Sequence, residues 1–131
     1  WGVGKEVYTA LKVSEILEKH HSLKATVVNT RFIKPFDVEL LLYLCDRMPI
    51  VTIEDCQTQG GLASIVDEIL INVPHNGILH FGWGDNIIPH GDTEVIRQRY
   101  GFTPENITRR FIEFREKGKT GSGLMLNKMF T

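Results

Sequence analysis

Apolar residues near the start of the chain recur at spacings of three and four. In GKEVYTALKVSEILEKHH, from Gly4 to His21, the residues Val7, Ala10, Leu11, Ile16 and Leu17 fall mostly on one side of a helical wheel, which predicts an amphipathic helix. The period then changes. LKATVVN, from Leu23 to Asn29, is short and rich in β-branched residues and reads as a strand. Pro35 bars helix at Lys34, Asp37 is suited to cap a helix, and Glu39 favours its first turn, so VELLLYLCDRM is predicted helical until Pro49 ends it. Pro-Ile-Val-Thr-Ile (49–53) reads as a second strand, Gly61 to about Ile71 as a helix, and GILHFGW (77–83) as a third strand. Asp92–Tyr100 is predicted to be a short helix closed by Gly101. Thr103 as cap and Pro104 as first helical residue start the last helix, with Ile107, Phe111 and Phe114 on its apolar face.

This alternation of strand and helix implies an α/β domain with a mainly parallel sheet, helices on both faces and right-handed crossovers. The first helix has no strand period before it. An opening strand is therefore expected to be missing, or to come from residues upstream of Trp1, and the chain is expected to be a fragment or a processed product. One domain, 1–117, is predicted, followed by a flexible tail over 118–131 (GKTGSGLMLNKMFT).

Composition narrows the class. A chain of 131 residues that is 42% hydrophobic and 24% charged suits one soluble globular core. No apolar run approaches the roughly 18 residues of a membrane span, and there is no basic-then-apolar leader. A soluble, cytoplasmic protein is therefore expected; Cys45 and Cys56, in a chain large enough to fold without staples, are expected as free thiols, and their lying outside any CxxC pair argues against a metal site. The net charge of −1 conceals an uneven distribution. Between Met48 and Ile96 there is no Lys or Arg while seven acids give −7, and the rest of the chain holds 15 basic and 9 acidic residues, +6. Such a centre cannot neutralise phosphates, so nucleic acid is not an expected partner, and the basic run from Arg97 onward reads as a solvated helix face.

The stretch VTIEDCQTQGG, from Val51 to Gly61, carries the densest candidate chemistry. Glu54 and Asp55 stand at the end of a predicted parallel strand, where α/β proteins place ligand contacts, and Gly60-Gly61 opens a helix whose N–H groups could meet an anion. No cation is near in sequence, however, so an external phosphate would meet repulsion. A carboxylate such as Glu54 could itself take the helix terminus. General acid-base work needs a partner, and His75, His80 and His90 are isolated while His20-His21 sits at a helix end. Neither HExxH nor GxSxG is present, and Gly4-Lys5 and Gly118-Lys119 lack the rest of a phosphate loop. Cys56 has no predicted base to make it a nucleophile. The extended run Asn29–Asp37, with Arg31, Phe32 and Lys34 ahead of Pro35, could meet a neighbouring domain.

Three motifs in order carry a resemblance: VVNTRFIKPFD, then IVTIEDCQTQGGLASIVDEIL, then HFGWGDNIIPHGDTEVIRQRYGFTPENI. Together, over about residues 2 to 115, the chain resembles the C-terminal domain of 1-deoxy-D-xylulose-5-phosphate synthases; the related C-terminal domains of transketolases and of the β subunits of 2-oxoacid dehydrogenases are the nearest alternatives. The resemblance implies a three-layer, Rossmann-like, transketolase C-terminal-domain-like fold. It also implies the third domain of a homodimeric, thiamine-diphosphate- and Mg-dependent transferase acting on pyruvate and glyceraldehyde 3-phosphate for isoprenoid and thiamine precursors. In that architecture the pyrimidine-binding and diphosphate-binding domains hold the cofactor and are this domain's partners. The GDG...N diphosphate motif is absent here, so no catalytic, cofactor-binding or metal residue is expected in this chain. Arg31, Phe32, Lys34, Pro35, Asp37, Glu54, Asp55, Gly60, Gly61, His90 and Gly91 match motif positions and are assigned interdomain or architectural roles. The tail departs from the family's ending. A different class, a stand-alone module binding a small polar or cationic ligand beside Glu54, is the competing expectation.

Overall fold

The computed structural model describes residues 1–85 and 87–119. The predicted tail lies outside them, apart from Gly118 and Lys119 at the end of the last helix. The elements are α1 (Glu6–His21), α2 (Val38–Cys45), β1 (Ile50–Gln57), α3 (Leu62–Leu70), β2 (Ile78–Trp83), α4 (Thr93–Arg99) and α5 (Pro104–Lys119).

β1 and β2 pair in parallel, Ile50 opposite Ile78 through Ile53 opposite Phe81, and the register then shifts so that Gln57 meets Trp83. On the other side of β1 lie Trp1–Val3. Gly2 forms parallel bridges to both Ile53 and Asn29, supported by Val3 N–H to Ile53 O (3.2 Å), Ile53 N–H to Trp1 O (2.9 Å) and Gly2 N–H to Val28 O (3.0 Å). Trp1–Val3 thus lie between Asn29 and β1, directly ahead of α1, where the sequence shows no strand period. The strand expected over Leu23–Asn29 narrows, among the described residues, to a single bridge at Asn29, whose partner is Gly2. In space the order is 28–30, 1–3, β1, β2, and the chain departs in opposite directions after the second and third of these.

Two apolar clusters fill the two faces of the sheet. Trp1, Leu41, Leu44, Cys45, Ile50, Leu62, Val66 and Leu70 join α2 and α3 to one face. Ala10, Val13, Leu17, Ile53, Phe81, Phe102 and Ile107 join α1 and α5 to the other. Ile50 and Ile53 belong to different clusters because their separation is odd, and strand side chains alternate. The layers are therefore helix, sheet, helix, as the resemblance implied. One detail of α1 differs from the sequence reading: its buried side is Glu6, Thr9, Ala10, Val13 and Leu17, while Leu11 is 44% exposed. The stripe is rotated to include an acid, for a reason that appears at the strand ends.

The caps expected at Asp37 and Thr103 are present, and Asp92, expected as the first residue of its helix, caps it. Asp37 Oδ1 accepts from Leu40 N–H (3.0 Å) at α2, Asp92 Oδ1 accepts from Glu94 and Val95 N–H at α4, and Thr103 Oγ1 accepts from Asn106 N–H (3.3 Å) at α5. Each satisfies donors that the first helical turn leaves without an internal partner.

Candidate functional site

Parallel strands send their following loops to one edge of the sheet, so Gly4-Lys5, the turn after Asn29, the loop after β1 and the loop after β2 all leave from the carboxyl edge. β1 places Glu54 and Asp55 there in succession, and alternation sends them to opposite faces.

Glu54 faces α3. Its carboxylate is fully buried, accepting from Leu62 N–H at 2.7 Å and Ala63 N–H at 2.9 Å, and from the Cys56 thiol at 3.0 Å. α3 has no cap from its own Gly61 side, so a strand residue supplies the acceptor and places a negative charge at the positive end of the helix dipole. The glycine pair makes this possible. Gly60 turns the chain with φ +82°, in the left-handed region. A Cβ on Gly61 would sit 2.1 Å from Glu54 Oε2 and 2.8 Å from Gln57 O. Ser64 completes the turn, accepting from Gly60 N–H (2.8 Å) and donating to Thr58 O (3.0 Å).

Asp55 points to the opposite face, toward the start of α1 and toward α4. It accepts from Lys5 Nζ at 2.5 Å and from the Trp83 indole N–H at 2.6 Å, with Arg97 at 3.8 Å. Partial burial works against its charge, but the Lys5 ammonium, the Trp83 N–H and Arg97 outweigh it and hold the carboxyl below its ordinary value. Arg97 in turn forms a two-pronged pair with Glu6, 2.9 Å on each arm, reaches Thr9 Oγ1 at 3.4 Å and lies over the Phe102 ring at 4.4 Å. Trp83 stacks on the same Phe102 at 5.1 Å. Exposure separates the two pairs: the side chains of Arg97 and Glu6 are 11% and 1% exposed, whereas Lys5 is 57% exposed, so only the first escapes solvent screening. At the strand ends two cations and two anions of the chain are thus paired with one another, Arg97 with Glu6 inside and Lys5 with Asp55 at the surface.

The remaining candidates are soon placed. Cys56 has its thiol pushed up to about 12, by burial first and then by the hydrogen bond and charge of Glu54 and the charge of Asp55; a protonated thiol is no nucleophile. His80 meets neither acid of the pair. Its Nδ1 is 2.6 Å from Thr52 Oγ1 and its Nε2 is 3.0 Å from Asp67, a Thr-His-Asp chain whose hydroxyl, on fully buried Thr52, no substrate can reach. Arg31, Phe32, Lys34 and Pro35 are exposed in the turn before α2, Phe32 by 65%. Phe36 instead stacks on Trp1 at 5.1 Å. His90 and Gly91 are exposed in the loop before α4. A groove of about 310 Å³ between α1 and α5, lined in part by His20, His21 and Arg109, lies by the last turn of α1, far from the strand ends.

Sequence reasoning brought Glu54, Gly60 and Gly61 together and missed the Glu6–Arg97 pair, whose partners are 91 positions apart. One signal was available: Glu6 sits at helical spacing from Ala10, Val13 and Leu17, an acid on an apolar stripe. The site does not fit thiamine diphosphate. The N–H groups of α3 that could take a phosphate are committed to Glu54, and the cations at the strand ends are paired, Lys5 to Asp55 and Arg97 to Glu6. Among the described residues no three His, Cys, Asp or Glu side chains are grouped to hold a metal ion.

Comparison with known proteins agrees with this architecture. The chain is 37% identical over 117 residues to the 1-deoxy-D-xylulose-5-phosphate synthase of Trichodesmium erythraeum, covering 86% of this chain and 18% of that protein. It is 38% identical over 114 residues to the synthase of the same name from Pelotomaculum thermopropionicum, covering 85% and 18% respectively. The chain thus spans less than a fifth of the length of these relatives. A solved structure titled "Split gene transketolase, inactive beta4 tetramer" superposes with a TM-score of 0.71 at 25% identity, over 82% of this chain and 35% of the other. The family described as "Transketolase, C-terminal domain" matches residues 2–107. From Gly2 in the middle of the sheet to Ile107 in the core beneath α5, the chain belongs to the transketolase C-terminal domain family.

Proposed function

We propose that this chain is the C-terminal domain of a thiamine-diphosphate-dependent 1-deoxy-D-xylulose-5-phosphate synthase, which joins pyruvate to glyceraldehyde 3-phosphate with loss of carbon dioxide, and that its own role is structural. The identity to synthases from two organisms supports the parent assignment; the transketolase neighbour, at 25%, is the weaker match in sequence. The scaffold role rests on one observation: Glu54, the acid best placed for chemistry or for a cationic ligand, is buried and spent on the amino end of α3. That commitment also weighs against a stand-alone small-ligand module.

In this reading thiamine diphosphate and Mg are bound by the other two domains of the parent, and this domain packs against them. Arg31, Phe32, Lys34 and Pro35, exposed in the turn before α2, and His90 and Gly91, exposed before α4, are the contact candidates. Asp37, Glu54, Asp55, Gly60 and Gly61 are architectural. The parent is a homodimer in the cytoplasm. Two free cysteines suit a reducing compartment, and no helix among the described residues is long and apolar enough to cross a membrane.

A chimera tests the parent assignment. Replacing the matching C-terminal segment of the Trichodesmium erythraeum synthase by this chain is expected to give a protein that still forms 1-deoxy-D-xylulose 5-phosphate. A chimera that folds and assembles like the unaltered synthase yet forms no product would overturn it.

A further inference from the structure

We draw no further inference here: the strongest candidate, the outward apolar face of α2 formed by Val38, Leu42 and Tyr43 together with Phe32 of the preceding turn, is an unpartnered surface, and nothing in the structure shows what covers it.

Discussion

Glu54 occupies the space that a side chain on Gly61 would need: an added Cβ would stand 2.1 Å from Oε2 of a carboxylate that accepts from both Leu62 and Ala63 N–H. The two residues are a single device, an acceptor and the gap that admits it. Gly61→Ala is expected to displace the carboxylate and leave buried donors unmet, at a cost of about 1–3 kcal/mol. Glu54→Gln, which turns an amide N–H toward one of the same donors, should cost a similar amount. Because both changes undo one interaction, the double variant should lose clearly less than the sum of the two. Urea unfolding of the four proteins checks this, and strict additivity would refute the coupling.

The Glu6–Arg97 pair behaves as a buried pair should, so removing one partner is worse than removing both. Arg97→Met leaves the Glu6 carboxylate, 1% exposed, without its counter-ion, at a cost of about 3–5 kcal/mol. Glu6→Gln combined with Arg97→Met is expected to recover part of that loss, since no uncompensated charge then remains. Thermal unfolding of the single and double variants gives the comparison.

Much of this arrangement was legible in the sequence, and the parts that were not have physical reasons. The caps Asp37 and Thr103 are local chemistry, fixed by residues three apart, and the structure has both; Asp92, expected as the first residue of its helix, caps it instead. The acid-glycine relationship of Glu54 with Gly60-Gly61 spans a single loop and could be argued from missing cations. Trp1–Val3 could not be read as a strand, because three residues show no alternation; only their hydrogen bonds to Val28 and Ile53 reveal them. The Leu23–Asn29 segment has the composition of a strand, but among the described residues it keeps only the bridge of Asn29 to Gly2. Arg97 opens a basic run whose sequence reads as a solvated helix face, yet it is buried because tertiary contact brings it to Glu6 across most of the chain.

Asp55 makes stability depend on acid. Its folded-state carboxyl is held below the ordinary range, despite partial burial, by Lys5, Trp83 and Arg97. Its contribution is therefore present above the ordinary carboxylate value of about 4 and is lost as pH falls through the depressed folded value. Asp55→Asn should lower the melting temperature at neutral pH by more than it does in acid, so the two curves converge at low pH. Parallel curves would assign the acid sensitivity to other carboxylates.

Cys56 should be slow to react although its residue lies at the surface. A thiol moved from 9.0 to about 12 has about a thousandfold less thiolate at neutral pH, and the thiolate is the attacking species. Maleimide labelling of the folded chain is expected to be far slower than labelling in urea. Glu54→Gln should accelerate it in the folded state, by removing the charge that opposes ionisation. Native labelling as fast as that of the unfolded chain would contradict the thiol–carboxylate contact.

The claim that this domain supports a thiamine enzyme without holding the cofactor is tested most directly by calorimetric titration of the chain with thiamine diphosphate and Mg²⁺. With the α3 donors taken by Glu54, and Lys5 and Arg97 paired to Asp55 and Glu6, no saturable binding is expected up to millimolar cofactor. Saturable binding at micromolar concentration would contradict the account.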